Sequence, residues 1–327
     1  MTSNTDRRSG VVVATALFFI TVAVFFRVPI LPDIGRDVNL GATGLGALGS
    51  AFALGRLVTD LPAGTLVDRM SARLVMVGAA VAVAIGSAVI AATPSQATAF
   101  IGFFIVGIGS TLALTTAQAH FAMAPKERRG AALSVFAAAL LVGQTIGPAV
   151  SGLIAPRLGW RGSLAIAAFI AVAIVAPLLR LRDSMPSSAE PASPPRRRSE
   201  GGRIVRGVLY LLPAAQFAIG AAVLQTLIPI VGDAELGFGA DTIGLALGLG
   251  GLSRMAAALV SGKVSDSIGR RSALMPGLAV QLAGVTVFAV WEGAAAWLTT
   301  VVLLTLGSIS VNVGTTILAD LSEGGRL

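Results

Sequence analysis

Long apolar stretches, separated by short polar or charged turns, dominate the chain. Cutting the sequence at its charges and turn residues gives ten apolar segments. They cover roughly residues 11–32, 42–66, 73–93, 97–122, 131–155, 161–180, 206–231, 240–265, 272–291 and 294–319. Each segment is long enough to cross a bilayer, which takes a helix of about 20 residues. The pattern therefore predicts an all-α, polytopic membrane protein with ten transmembrane helices.

The basic residues predict which ends of these helices face the cytoplasm. The chain holds 24 Lys and Arg against 16 Asp and Glu. With the N-terminus inside, eighteen of the 24 fall on the cytoplasmic side and only Arg36, Arg157 and Arg161 fall outside. An excess of Lys and Arg in cytoplasmic loops is the usual mark of membrane topology. The net charge of +8 therefore indicates topology rather than nucleic-acid binding, and both termini are predicted on the cytoplasmic side of the cell membrane, meaning the inner or plasma membrane.

The longest polar segment divides the chain into two unequal parts. Residues 181–205 are too rich in Pro, Ser and charge to bury a core. We therefore predict an N-terminal bundle of six helices over 1–180, a cytoplasmic linker over 181–205, and a C-terminal bundle of four helices over 206–327.

The two parts contain an internal repeat. At an offset of 198 residues, the informative identities are Gly46 with Gly244, Arg56 with Arg254, Gly64 with Gly262, Asp68 with Asp266, and Arg73 with Arg271. Just upstream, Pro32 and Pro229 match at an offset of 197. Repeats of a multi-helix unit are typical of secondary transporters.

The repeated loop carries a family resemblance. GTLVDRMSAR and GKVSDSIGRR resemble the loop signature of the major facilitator superfamily. The first copy departs from it at Ser71, where the family usually has glycine, and at Ala72, where it has a basic residue. The matching residues are Gly64, Asp68, Arg69, Arg73, Gly262, Asp266, Arg270 and Arg271. The resemblance implies a gate at the cytoplasmic mouth, in which the acid pairs with basic neighbours. The alternative is that these arginines only anchor the topology.

A second resemblance lies in the fifth segment. GQTIGPAVSG resembles the motif that proton-coupled antiporters of this superfamily, notably drug exporters, carry in their fifth helix. The matching residues are Gly143, Gly147, Pro148 and Gly152. Gly143, Gly147 and Ser151 also follow a helical spacing, so they form a small-residue face that another helix can approach closely. The resemblance implies a two-bundle fold, alternating access and protons as the coupling ion.

One departure from the family concerns length. Its members have twelve helices in two bundles of six, whereas the apolar segments found here number six and four. On this interpretation helices 11 and 12 are absent. The alternatives are a functional short form and a truncated membrane protein that does not transport by itself.

Four charged residues lie inside the predicted spans: Arg27, Arg56, Asp60 and Arg254. A charge at the bilayer centre costs about 3 kcal/mol on insertion scales, so each is expected to face a cavity or a partner. Asp60 lies one turn from Arg56, and we interpret the two as a structural ion pair in preference to a proton relay. Arg27, in the outer third of the first helix, is expected to bind an anionic group or belong to an outer gate.

Few other polar residues fall on the segments that line the family's central cavity. The candidates are Thr115, Gln216, Gln225, Ser310 and Asn312. A sparsely polar lining fits amphipathic compounds better than sugars. The predicted function is proton-coupled efflux of drug-like or amphipathic small molecules. The alternative is a metabolite or organic-anion permease, which three intramembrane arginines against one acid would favour.

Several other functions are not expected. The chain has no cysteine, which excludes disulfide scaffolds and cysteine nucleophiles, and its single histidine, His120, cannot form a metal site alone. We find no nucleotide-binding or hydrolytic motif. The sequence therefore predicts a protein that is not an enzyme and needs no cofactor, and whose partners are a small-molecule substrate, protons and the lipid bilayer.

Overall fold

The computed structural model describes residues 4–92, 95–180, 219–268 and 270–308, and every regular element in this part is helical. The first half contains α1 (Asn4–Phe25), α2 (Leu31–Asp37), α3 (Ala42–Arg69), α4 (Ala72–Ala91), α5 (Gln96–Ala122), α6 (Lys126–Ala173) and α7 (Val175–Leu179). The second half contains the π-helical α8 (Ile219–Leu227), α9 (Ile228–Ala234), α10 (Ala240–Ile268), α11 (Arg270–Val290) and α12 (Ala294–Leu306). The predicted all-α class is confirmed.

The lengths of these helices support a membrane protein. Within the described ranges, four stretches are long and apolar enough to cross a membrane: Ala72–Ala91, Gln96–Ala122, Arg128–Leu179 and Ala240–Val260. The bent pair of α2 with Ala42–Asp60 counts as a fifth if the two helices form one span, and shorter apolar helices occur at Ser9–Phe25, Ala222–Ala234, Met275–Val290 and Ala294–Leu306. The exact count of ten spans stays a prediction.

The first predicted span is interrupted, which corrects the position expected for Arg27. The apolar pattern runs from 11 to 32, but α1 ends at Phe25 and residues 26–30 form turns before α2. Pro32 stands at the start of α2, where its fixed φ and missing N–H are compatible with a helix. Arg27 therefore lies in the turn after α1, and the prediction that it lies within the first helix is wrong.

The fifth and sixth predicted spans meet without a loop. α6 runs from Lys126 to Ala173, and its one non-helical residue is Gly159, with φ 70° and ψ 170°. Positive φ is a conformation that glycine adopts at little cost, because it has no Cβ. This residue forms the corner between the segments predicted at 131–155 and 161–180.

The helices pack around two separate apolar cores. The larger core joins α1, α4, α5 and α6, and includes Leu17, Val83 and Phe103. The smaller core lies in the second half, where Trp297 packs beside Ile228 and its indole Nε1 donates to the Ile228 carbonyl at 3.0 Å. Each half thus has its own core. The predicted linker, 181–205, lies outside the described residues.

Candidate functional site

The two halves meet where α6 packs against α10. A methyl group added to Gly152 would lie 2.9 Å from the Gly244 Cα, and one added to Gly248 would lie 3.0 Å from the Ala149 Cβ. Such distances require small residues on both helices, which is how membrane helices pack closely. Gly152 and its neighbours therefore bring the backbones of the two halves into direct contact.

The other small residues of the GQTIGPAVSG segment face α1. A methyl group on Gly143 would lie 2.9 Å from the Phe18 carbonyl oxygen, and one on Gly147 would lie 2.8 Å from that of Val22. The buried Ser151 hydroxyl donates to the Phe26 carbonyl at 2.6 Å. The segment therefore packs on α1 with one face and on α10 with another. Its antiporter role stays a prediction.

A cavity of about 80 Å³ lies between the halves beside this contact. That volume is enough for several water molecules or a small ligand group. Apolar side chains such as Phe25, Leu224 and Leu247 form much of its wall. The polar side chains are those of Gln144, Thr145, Gln225, Arg254 and Thr305. This central cavity contains no carboxylate among its described lining residues.

Arg254 links the halves across the central cavity. Its Nη1 donates to the Gln144 Oε1 at 2.9 Å, so a residue of α10 holds a residue of the antiporter-like segment on α6. Arg254 was predicted as an intramembrane charge that faces a cavity or a partner, and here it has both. Gln144 was missed, because a lone glutamine forms no pattern.

Arg27 makes the second polar link between the halves. It is 2% exposed, and its Nη2 donates to the Gln225 Oε1 at 2.9 Å. Its guanidinium carbon lies 3.7 Å from the centre of the Phe52 ring and 5.5 Å from that of Phe103. A cation over an aromatic face is attracted by the ring's quadrupole. The structure thus brings together Arg27 and Gln225, which the sequence singled out separately.

A smaller cavity of about 30 Å³ lies on the first-half side of Gln144. Arg56, Ser110 and Thr21 contribute to its lining, and Gln144 lines both cavities. Asp60 is exposed one turn beyond Arg56, and its charge acts on Arg56. Whether the two serve as a structural ion pair stays a prediction.

An ionic cluster joins the halves at one end of the molecule, and the sequence analysis missed it. Arg36 Nη1 donates to both carboxylate oxygens of Asp233, at 2.5 and 2.7 Å, and Arg36 also pairs with Asp33. Burial raises the pKa of the Asp33 carboxyl, and the hydrogen bond to Asp233 raises the pKa of Arg36. Arg36 and Asp233 are separated by 197 residues, which is also the offset of Pro32 and Pro229. The two residues therefore occupy corresponding positions of the repeat, and the repeat could have indicated this pair.

A second ion pair strengthens the same end. Arg161 pairs with Asp37, and its guanidinium lies 4.3 Å from the centre of the Trp160 ring. Asp37 and Trp160 line an open cleft of about 600 Å³, together with Asp33, Arg36 and Asp241. We call this end, with Asp33, Arg36, Asp37, Arg161 and Asp233, the outer cluster, because topology prediction places all of its loops outside.

The predicted cytoplasmic gate is described only in part. Gly64 and Arg69 are exposed, and Arg73 Nη1 donates to the Leu179 carbonyl at 3.5 Å. Ser71, where the family usually has glycine, caps α4 by accepting from the Leu74 N–H. The remaining gate positions have side chains outside the described part: Asp68, Gly262, Asp266, Arg270 and Arg271. The gate therefore stays a prediction.

The predicted cavity residues have mixed outcomes. Gln225 lines the central cavity. Thr115 is half-buried in α5 and is not among the lining residues of either cavity. Gln216, Ser310 and Asn312 lie outside the described residues.

Comparison with known proteins identifies a family and several relatives of similar sequence. The family model described as Major Facilitator Superfamily matches residues 13–324. The "Chloramphenicol resistance protein" of Streptomyces lividans is 29% identical over 92% of this chain and 79% of its own length. The "Tetracycline resistance protein, class C" of Escherichia coli is 27% identical, over 82% and 70%. "Multidrug resistance protein 1" of Bacillus subtilis is 23% identical, and the chain spans 61% of its length.

Solved structures share the fold. A crystal structure of a D-xylose-proton symporter aligns with a TM-score of 0.67 at 17% identity, over 98% of this chain and 87% of that one. A bacterial homolog of the human lysosomal transporter Spinster, inward-facing and unoccupied, aligns with a TM-score of 0.76 at 12% identity, over 97% and 76%. Because the family model spans nearly the whole chain and the fold agrees with it, the chain belongs to the Major Facilitator Superfamily and is a membrane transporter rather than an enzyme.

Proposed function

We propose that the chain exports drug-like or amphipathic small molecules across the cell membrane in exchange for protons, by alternating access. The observation that carries this proposal is the central cavity between two repeat-related halves, next to the glycine contact of α6 with α10. Its mostly apolar wall is compatible with amphipathic compounds. Relatives named for resistance to chloramphenicol, tetracycline and multiple drugs support export as the direction.

Alternating access requires the halves to rock about a site near the membrane midplane. In the state described here, the outer cluster and the contact of Gly152 with Gly244 hold the halves together at the outer end. Opening toward the outside would break the pair of Arg36 with Asp233 and separate α6 from α10. Closure at the cytoplasmic end would then depend on the predicted gate residues, with Asp68 and Asp266 as its acids.

The test is transport by the purified chain in proteoliposomes with an imposed pH gradient. We expect saturable movement of chloramphenicol or a fluorescent amphipathic dye, driven by the gradient and lost when a protonophore collapses it. Arg27→Ala should abolish transport, because Arg27 holds the turn after α1 to Gln225. Arg157→Ala, at an exposed position of α6, is the matched control and should transport normally. A transport rate that does not depend on the pH gradient would contradict proton coupling.

A second candidate is a permease for metabolites or organic anions. Arg27 and Arg254 lie between the halves, whereas the nearest intramembrane acid that the sequence offers, Asp60, is exposed. Uptake of a labelled organic anion into cells that express the chain would favour the permease, and reduced accumulation of the dye would favour the exporter.

A further inference from the structure

The two glutamines of the central cavity have their acceptor atoms occupied by arginines. Gln144 Oε1 accepts from Arg254, and Gln225 Oε1 accepts from Arg27, each at 2.9 Å. A glutamine amide has one carbonyl oxygen, which accepts, and one NH₂ group, which donates. Because each carbonyl oxygen already accepts from an arginine, the NH₂ groups are the donors that these glutamines offer to a ligand.

The two threonines of the cavity add no hydrogen-bond donor for a ligand. The hydroxyl of Thr145 donates to the Leu141 carbonyl at 2.8 Å, and that of Thr305 donates to the Val301 carbonyl at 2.7 Å. Each hydroxyl thus donates its only proton to a carbonyl of its own helix, and it carries no charge. The donors that remain are the guanidinium of Arg254 and the two amides.

Within the described ranges, Arg27 and Arg254 at the central cavity form no ion pair with a carboxylate. The ion pairs in these ranges involve Arg36 and Arg161 instead. The Arg27 Nε is buried with no hydrogen-bond partner, and Arg27 Nη2 donates to the Gln225 side chain that lines the cavity. A buried charge without a counter-charge is costly, and ionisable residues inside membrane proteins usually mark ligand or ion sites. The missing negative charge is therefore expected on the ligand.

We propose that the central cavity binds the anionic group of an amphipathic organic anion, a carboxylate in the simplest case. Arg254 contacts the anion directly, the NH₂ groups of Gln144 and Gln225 donate hydrogen bonds to it, and Arg27 is a positioning residue that orients Gln225. The apolar part of the ligand packs on the neighbouring apolar wall. This inference rests on the proposed function, since it names the substrate class of the same site, and it excludes permanently cationic compounds.

The first test is equilibrium binding to the purified full chain in lipid nanodiscs, measured by titration calorimetry at pH 7. The probes are naphthalene-1-acetate and 2-(1-naphthyl)ethylammonium, which share the ring system and differ in the sign of charge. Empty nanodiscs correct for partition into lipid. We expect saturable binding of the acetate, at least tenfold tighter than that of the ammonium. Equal or tighter binding of the ammonium, or no saturable binding of either probe, would overturn the proposal.

The second test uses variants of the site. Arg254→Gln should weaken binding of the acetate at least tenfold, and Arg254→Lys should recover part of it. Gln225→Glu replaces an amide donor with a carboxylate beside Arg27 and lowers the positive charge of the site by one unit, so it should weaken binding of the acetate and reduce its preference over the ammonium. Arg157→Gln, at an exposed position of α6 near the corner at Gly159 and not among the lining residues of the cavity, is the matched control. Folding of each variant is checked by its unfolding temperature and by size-exclusion chromatography.

These outcomes separate the substrate class from the transport proposal. If Arg254→Gln does not fold, the weaker binding expected for Gln225→Glu decides the test, and unchanged binding of the acetate with unchanged preference in that variant overturns the proposal. Binding needs no gradient. Proton-driven export without preference for the acetate would therefore refute the substrate class alone, whereas binding of the acetate without gradient-driven export would refute the proposed function alone.

Discussion

Among single residues, glycines determine how closely the two halves pack. At Gly152 an added methyl group would meet backbone atoms of α10, including the Ala240 carbonyl oxygen and the Gly244 Cα. Backbone cannot rotate away as a flexible side chain can. Gly130 lies in the same helix, yet a methyl group there would have no atom within 4 Å. The two positions form a matched pair for testing close approach.

We expect Gly152→Ala to destabilise the protein by about 1–3 kcal/mol, the usual cost of inserting a methyl group into a packed interface. Gly130→Ala should instead stabilise it by about 0.5–1 kcal/mol, because alanine loses less backbone entropy in a helix. Both values can be measured by reversible unfolding in mixed micelles. Equal stability of the two variants would show that α6 and α10 do not approach as closely as described.

The helical spacing of Gly143, Gly147 and Ser151 predicted a packing face, because a helix repeats every 3.6 residues whatever it packs against. The spacing could not reveal the partner, which is α1 for Gly143 and Gly147, the turn after α1 for Ser151, and α10 for Gly152. Gln144 gave no signal at all. Its role depends on Arg254, 110 residues away, and that distance is set by tertiary packing alone.

Among the helices, α4 shows how a departure from the family pattern is accommodated. Ser71 replaces the usual glycine and accepts a hydrogen bond from the Leu74 N–H at 3.4 Å, which satisfies one unpaired donor at the start of α4.

Ser71→Gly should therefore change stability by only a few tenths of a kcal/mol, whereas Ser71→Ala should cost about 1 kcal/mol, as is usual when an N-cap is lost. Thermal unfolding of the two variants in detergent provides the measurement. An alanine variant as stable as the glycine variant would argue against the cap.

The outer cluster connects α2 with α9. Arg36 contacts Asp233 of the second half through both carboxylate oxygens, whereas Asp33 belongs to the same short helix as Arg36. Burial raises the pKa of Asp33, so ionised Asp33 is less favourable in the folded protein than in water. Of the two ion pairs of Arg36, the one with Asp233 joins the halves and the one with Asp33 does not.

We expect Asp233→Asn to open the outer end and Asp33→Asn to leave it closed. Exposed ion pairs contribute up to about 1 kcal/mol, so the effect should be a rise of at most about fivefold in accessibility. The chain has no cysteine, and Thr226 is buried beside Gly49 of α3, so Thr226→Cys is a suitable reporter for an impermeant maleimide added from outside. The double change of Arg36→Asp with Asp233→Arg should restore slow labelling. Faster labelling in Asp33→Asn than in Asp233→Asn would contradict this account.

Hydropathy predicted most helices but not the changes in chain direction. It merged residues 26–30 into the first span, and it placed a loop where α6 turns at Gly159. An apolar sequence indicates that a segment is buried away from water, and turns packed among helices are buried as well. Hydropathy therefore does not distinguish a buried turn from a helix. Only the backbone conformation of Gly159 distinguishes a corner from a loop.

Across the whole molecule, the predicted topology agrees with which loops lie together. Gln96 donates to the carbonyls of Val38 and Asn39 at 3.1 Å, and the outer cluster joins the loops near 33–41, 156–161 and 232–239. Arg73 and Leu179, predicted on the cytoplasmic side, meet each other at 3.5 Å. Charge and apolar length thus predicted which loops share an end of the molecule, although they could not predict the contacts between the halves. The side of the membrane that each end faces stays a prediction.

The topology itself can be tested with reporter fusions. Fusions at Ser193 and Gly325 should report the cytoplasm, because eighteen of the 24 basic residues fall on that side for ten spans. A fusion at Glu292, between α11 and α12, should report the outside. An external signal at Ser193 or Gly325 would show that the number of spans is not ten.

The ion pair of Arg36 with Asp233 has a consequence for how the halves recognise each other. These residues occupy corresponding positions of the repeat, so each lies opposite its own counterpart near the axis that relates the halves. Two identical first halves would place arginine against arginine there, and two identical second halves would place aspartate against aspartate. Like charges in contact disfavour such pairings. The difference between Arg36 and Asp233 therefore favours pairing of a first half with a second half over pairing of two like halves. A duplicated ancestor with identical halves would have lacked that preference.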